Sequence, residues 1–244
     1  MEKIARQREA SGLGPMFQPV ERETIHDRVY AELRRALICG LFEPGQVLTI
    51  RGLAEEMMTS TMPVREALGR LISEKALEAL PNRSVRVPPV SIERLDDLLR
   101  IRTLIEGEAI ALAAGRMTQG DLALIQDILQ EWDERRDMRQ QGDFDREMTV
   151  NQRFHFEIYR HSGSAVLMPM IESLWLQSGP CIREAAYAFS KSGQSDTGQY
   201  HRAINAALAA RDGDAARAAL VADISRPFKT LRDTLLQDIA KDTQ

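Results

Sequence analysis

Four side chains in the C-terminal part of this sequence are of types that can hold a metal ion or a small anion together: Asn151, His155, His201 and Asp223. Asn151 and His155 stand four residues apart in a segment where Met148, Ile158 and Tyr159 recur at helical spacing, so both lie on the apolar stripe. His201 lies 11 residues before Asp212, and Asp223 lies 11 after it. An antiparallel helical hairpin turning at Asp212-Gly213 therefore brings the two level. His201 shares a face with Ile204 and Leu208, and Asp223 stands beside Leu220 and Ile224, so both are expected to point inward. Four polar groups inside one apolar bundle need mutual partners or an ion, because unpaired burial is costly. Two imidazoles with a carboxylate and an amide oxygen suit a divalent transition metal such as Zn²⁺, Ni²⁺ or Mn²⁺. A hydrogen-bonded polar pocket without an ion is the plainer alternative.

Arg102 falls on the stripe Leu95, Leu98, Ile105, Ala109 and Leu112, so it too is expected inside. It can pair with Glu106 one turn on, or it can clamp an anionic effector through its two-pronged guanidinium. Pro227 would delete the hydrogen bond to the carbonyl of Asp223 and kink the last helix beside this group. A metal-dependent hydrolase or lyase using His155, His201 and Asp223 around an activated water is the rival from another class. It needs a general base and an open coordination position, and the sequence has no HExxH motif.

A second constellation lies earlier, between Arg51 and Leu71. A short helix over 50–57 and a longer one over 61–74 are separated by Met58-Thr59-Ser60. Ser60 is a good N-cap, and Pro63 sits in the first turn, where its missing N–H costs nothing. With Val64, Ala67, Leu68 and Leu71 buried, Thr61, Met62, Arg65 and Gly69 must face outward. A short face with one long cation suits a DNA major groove, where arginine hydrogen-bonds guanine twice. The formal net charge of −4 does not forbid this. Residues 1–90 carry 13 basic and 12 acidic side chains, so the negative excess belongs to the remainder.

These groups must be positioned by two kinds of scaffold. A helix over 23–39, the two helices above, and strands in ALEAL and SVRVPP around a Pro81-Asn82-Arg83 turn follow the element order of a winged helix-turn-helix. Pro88-Pro89 marks the boundary. Beyond it, helical periods run over 91–116, 119–140, 143–161, 165–190, 197–211 and 214–239. The expected fold is mainly α: an N-terminal arm over 1–20, a winged helix over 21–88, and an all-α bundle of six or seven helices over 91–240. Cys39 and Cys181 are too few and too far apart for a disulfide framework or a CxxC knuckle. With no signal-peptide pattern and no apolar run of membrane-spanning length, a cytoplasmic protein without a membrane partner is expected.

The stretch IRGLAEEMMTSTMPVREALGRLISEKALEALPNRSVRV resembles the signature of GntR-type transcription regulators, most closely over Ser60–Leu71. The resemblance implies DNA contacts from Arg51 at the start of the second helix, from Thr61, Met62 and Arg65 on the recognition helix, and from Asn82, Arg83, Ser84 and Arg86 in the wing. Thr61 stands where many members have Arg, and Ser84 replaces the usual wing Gly. Residues 91–244 resemble the FCD effector domain of the FadR branch, through Arg102-x-x-x-Glu106, Asn151-x-x-Phe154-His155 and His201-Arg202-Ala203-Ile204. Many such domains hold a metal through an Asp or Asn and three His. Here Asn151, His155 and His201 match, and Asp223 replaces the fourth ligand. The resemblance further implies no enzyme activity, a homodimer on an inverted-repeat operator of double-stranded DNA, repression of metabolic genes, and a small carboxylate effector reached by Arg102.

Overall fold

The helix that opens the winged-helix half is locked at both ends by local chemistry. The computed structural model describes residues 24–81, 84–137, 144–191 and 198–242; the arm over 1–20 and wing residues Asn82 and Arg83 lie outside them. Helix α1 (Ile25–Ile38) begins in a capping box, with the Thr24 hydroxyl accepting from the Asp27 N–H and Asp27 accepting from the Thr24 N–H. It ends at Gly40, whose φ of +64° lets its N–H reach the Leu37 carbonyl while Leu41 N–H reaches Ala36.

Strand β1 (Val47–Leu48) leads into α2 (Ile50–Glu56), capped by the Thr49 hydroxyl on the Gly52 N–H. Helix α3 (Thr61–Ser73) follows. Ser60 holds the N-cap backbone conformation, but its hydroxyl makes no capping hydrogen bond, so the cap expected from its residue type is not formed. Strands β2 (Glu78–Ala79) and β3 (Val85–Arg86) form the wing hairpin. The sheet has three strands rather than two, in the order β1-β3-β2, because β1 pairs with β3 through Val47↔Arg86 and Leu48↔Val85. A two-residue strand is too short to show alternation, so only the long-range pairing reveals it. Leu33, Leu37, Val64, Ala67, Leu68, Leu71 and Val85 close the core beneath.

Six helices follow among the described residues: α4 (Ile92–Ala114), α5 (Gln119–Asp137), α6 (Phe144–Arg160), α7 (Leu167–Lys191), α8 (Gln199–Ala209) and α9 (Gly213–Asp242). Ser91 caps α4 on the Arg94 N–H, and Val90 packs against the cluster containing Leu95, the pattern of a hydrophobic staple. Helix α9 lies along α4 and doubles back on α8. Helix α7 carries Pro180 in its interior and receives the end of α1. The approach is backbone to backbone: a Cβ added at Gly179 would lie 1.9 Å from the Leu37 carbonyl oxygen, and one at Gly40 would lie 2.7 Å from that of Gly179. Arg34 of α1 also bonds Glu172 of α7 at 2.9 Å. One apolar cluster consequently runs from the winged helix into the bundle.

Candidate metal centre and nucleic-acid interface

Helix α6 delivers His155, α8 delivers His201, and α9 delivers Asp223, and their ligand-type atoms all lie within 4.8 Å of one another. His155 Nε2 is 3.3 Å, and His201 Nε2 3.5 Å, from the same Asp223 oxygen. The hairpin register read from the 11-residue spacing is therefore the one adopted. Asn151, one turn before His155, lines the same cavity of about 80 Å³, together with Arg102, Trp132 and Pro227.

The protons of this cluster follow from its neighbours. The Tyr159 hydroxyl donates to Glu106 at 2.6 Å and stands 3.3 Å from His155 Nδ1. With that hydroxyl's proton committed to Glu106, the tyrosine oxygen must accept from Nδ1–H. Burial lowers the pKa of His155 and favours its neutral form, against a smaller opposing pull from Asp223. A neutral ring protonated at Nδ1 turns the Nε2 lone pair toward a carboxylate oxygen, which is repulsive unless a cation lies between them. Burial alone would raise the Asp223 carboxyl. The closeness of His201 and His155 outweighs it and holds the group well below the usual carboxylate range.

His201 is 2% exposed, and neither of its ring nitrogens finds a hydrogen-bond partner of good geometry among the described residues. Its ring is held by Phe154, Trp132 and His155, with centroids 4.5, 4.8 and 5.3 Å away. Two imidazoles, a carboxylate and a nearby amide match the donor set of a divalent transition metal, and the orphaned nitrogens of His201 fit an ion there.

Arg102 is buried, as its stripe required, and its guanidinium is committed to Glu106 through Nε at 2.6 Å and Nη2 at 3.2 Å. Nη1 makes no hydrogen bond among the described residues. The pairing and the cavity position therefore coexist. Glu106 is more than that partner: it also accepts from Tyr159 and from Trp175 Nε1 at 3.0 Å, and is fully buried. The i,i+4 spacing with Arg102 was the only sign of it in the sequence. Tyr159, Trp175 and Trp132 join the site across helices, where no local spacing could place them.

On the winged helix, Arg51, Thr61, Met62 and Arg65 are all exposed. Arg51 and Arg65 make no hydrogen bond or ion pair among the described residues. Neighbouring charges are already engaged. Arg70 lies over the Tyr30 ring at 3.6 Å and pairs with Asp27, and Glu66 pairs with His26. In the wing, Arg86 bonds Glu78 across the hairpin at 2.6 Å, and the Ser84 carbonyl accepts from the Leu80 N–H at 2.9 Å. Asn82 and Arg83 lie outside the described residues. No helix among them is long and apolar enough to cross a membrane.

Comparison with known proteins matches residues 25–87 to the family "Bacterial regulatory proteins, gntR family" and residues 97–226 to the "FCD domain". The HTH-type transcriptional regulator McbR of Escherichia coli is 34% identical over 190 residues, covering 78% of this chain and 85% of that protein. The Nta operon transcriptional regulator of Aminobacter aminovorans is 28% identical, covering 80% and 88%. The solved structure of E. coli McbR/YncC superposes with a TM-score of 0.80 at 31% identity, over 88% of this chain and all of that one.

Proposed function

This chain belongs to the GntR family, as a DNA-binding transcription regulator with a C-terminal FCD domain, and from that premise we propose that it is a metal-containing repressor released from its operator by a small organic acid. The observation that carries the DNA half is the state of Arg65: exposed, unpaired among the described residues, and opposite a helix face sealed into the core. Arg65 and Arg51 read or grip the duplex, Thr61 and Met62 flank them at the helix start, and the wing from Asn82 to Arg86 adds backbone contacts. Two copies of the chain, related by a twofold axis, bind the two halves of an inverted repeat in the cytoplasm.

In the bundle, Asn151, His155, His201 and Asp223 would hold a Zn²⁺, Ni²⁺ or Mn²⁺ ion, which supplies a positive anchor for a carboxylate. Arg102, pinned by Glu106, keeps a cationic edge beside it. Helix α7 links the halves: Ile182, Ala186 and Phe189 line the cavity, while Gly179, less than a turn earlier, meets α1. A ligand that binds two positions of α7 unequally moves the winged helices and weakens operator binding. Titrating a labelled operator against candidate acids tests this. An acid that binds the protein yet leaves operator affinity unchanged overturns the regulatory half. Metal content per chain before and after chelation tests the centre, and stoichiometric metal lost with a lowered melting temperature is the expected result.

A further inference from the structure

We propose that the indole N–H of Trp132 is a second anchor for the bound acid, and that the cavity takes a compact monocarboxylate with an apolar body in preference to a polyhydroxylated one. This rests on reading the cavity as the effector site. Trp132 is 6% exposed and lines the cavity, and its Nε1 is a buried donor with no hydrogen-bond partner among the described residues. The other tryptophan shows what a satisfied indole looks like here, with Trp175 Nε1 donating to Glu106 at 3.0 Å. Buried N–H groups are almost always paired, and an unpaired one carries its full desolvation cost.

The Trp132 and His201 rings meet in a T-shaped pair, with centroids 4.8 Å apart and planes at 79°. An acid seated at the His155–His201–Asp223 cluster therefore brings carboxylate oxygens beside the indole. One oxygen faces the cluster and the other is free to accept from Nε1–H. The remainder of the acid meets mostly Met148, Ile182, Ala186, Phe189, Ile224 and Phe228. Hydroxyls turned against those walls would lose water without gaining partners. Of the charged lining outside the cluster, Arg102 is committed to Glu106, and Arg226 lies over the rings of Phe189 and Tyr200 at 4.3 and 4.6 Å. Glu147, the third charged residue of that lining, is acidic and offers no anchor for a second anionic group.

The experiment uses the full chain, with and without added Zn²⁺, and three probes of equal charge: benzoate, butyrate and gluconate. Calorimetry should show benzoate or butyrate binding at least about tenfold more tightly than gluconate. Trp132→Phe keeps an aromatic six-membered ring, deletes the donor and trims the buried side chain. It should lower the melting temperature of the ligand-free protein modestly, and should weaken the apolar acids by about tenfold, the loss of one charge-assisted hydrogen bond. The chain has two Trp, so its ¹⁵N spectrum has two indole signals to follow in the unmodified protein. Saturation with benzoate should move the Trp132 signal. Gluconate binding as tightly as the apolar acids, or an unmoved Trp132 signal at saturation, overturns the inference and leaves acid sensing intact. Failure of all three acids to bind, with or without zinc, overturns the acid-sensing reading, and this inference with it.

Discussion

Arg65 on α3 and Arg102 on α4 carry the same guanidinium in opposite settings. Arg65 is exposed and has no partner among the described residues; Arg102 is buried, and Glu106 engages two of its nitrogens. Water solvates an exposed cation at no cost to the fold, so the winged helix can leave Arg65 unengaged. The bundle cannot do the same. A charge removed from water must be compensated as the chain folds, and so Glu106 gathers Arg102, Tyr159 and Trp175 around itself. Among the described residues, the unpaired ring nitrogens of His201 and Trp132 are correspondingly informative, because an interior tolerates few such groups. A free polar group is the resting state of a nucleic-acid face and the exception in a core.

Substitutions can break this contrast from either side. The largest expected effect is at Glu106. Glu106→Ala leaves a buried guanidinium, a phenol and an indole without their acceptor and should cost about 3–5 kcal/mol in denaturant unfolding. A cost below 1 kcal/mol would mean that water reaches this hub. Arg65→Ala should lose about 1–3 kcal/mol of operator affinity while the melting temperature stays the same. Arg70→Ala, on the same helix, sharpens the point. Because Arg70 is engaged by Tyr30 and Asp27, it should weaken DNA binding less than Arg65→Ala and destabilise the fold by up to about 1 kcal/mol. Equal losses of operator affinity at both positions would show that any cation on α3 suffices.

The seam between the halves is open to a gentler probe. Burial raises the thiol pKa of Cys39, at the end of α1, and pushes that of Cys181 up to about 11. Both should remain protonated and resist alkylation at pH 8 in the native protein. If an effector lifts α1 away from α7, Cys39 should gain reactivity while Cys181 does not. Equal labelling of both thiols would indicate global opening instead.

Much of the site was legible because helices turn chemistry into arithmetic. Asn151 and His155 are four apart, and His201 and Asp223 are equidistant from one turn, so spacing alone places them on facing stripes. Arg65 was legible by exclusion, once Val64, Ala67 and Leu68 claimed the inner face. Glu106 as a hub was not legible, since Tyr159 and Trp175 reach it from other helices 53 and 69 residues away in sequence. The third strand of the wing escaped for the same reason, because Val47 finds Arg86 only when the chain has closed. Ser60 shows the converse: a residue type suited to capping that makes no capping bond.

Sequence by itself determined the winged helix, the helical bundle, and the side chains that turn toward each, because local periodicity and capping obey short-range sterics and hydrophobic sorting. Tertiary structure decided which inward polar groups are satisfied and which are left waiting, and it decided that Gly40 and Gly179 bring the two halves into backbone contact. Hydrogen-bond satisfaction and close packing depend on ångström-scale approach between distant segments, and no spacing along a single chain encodes that distance.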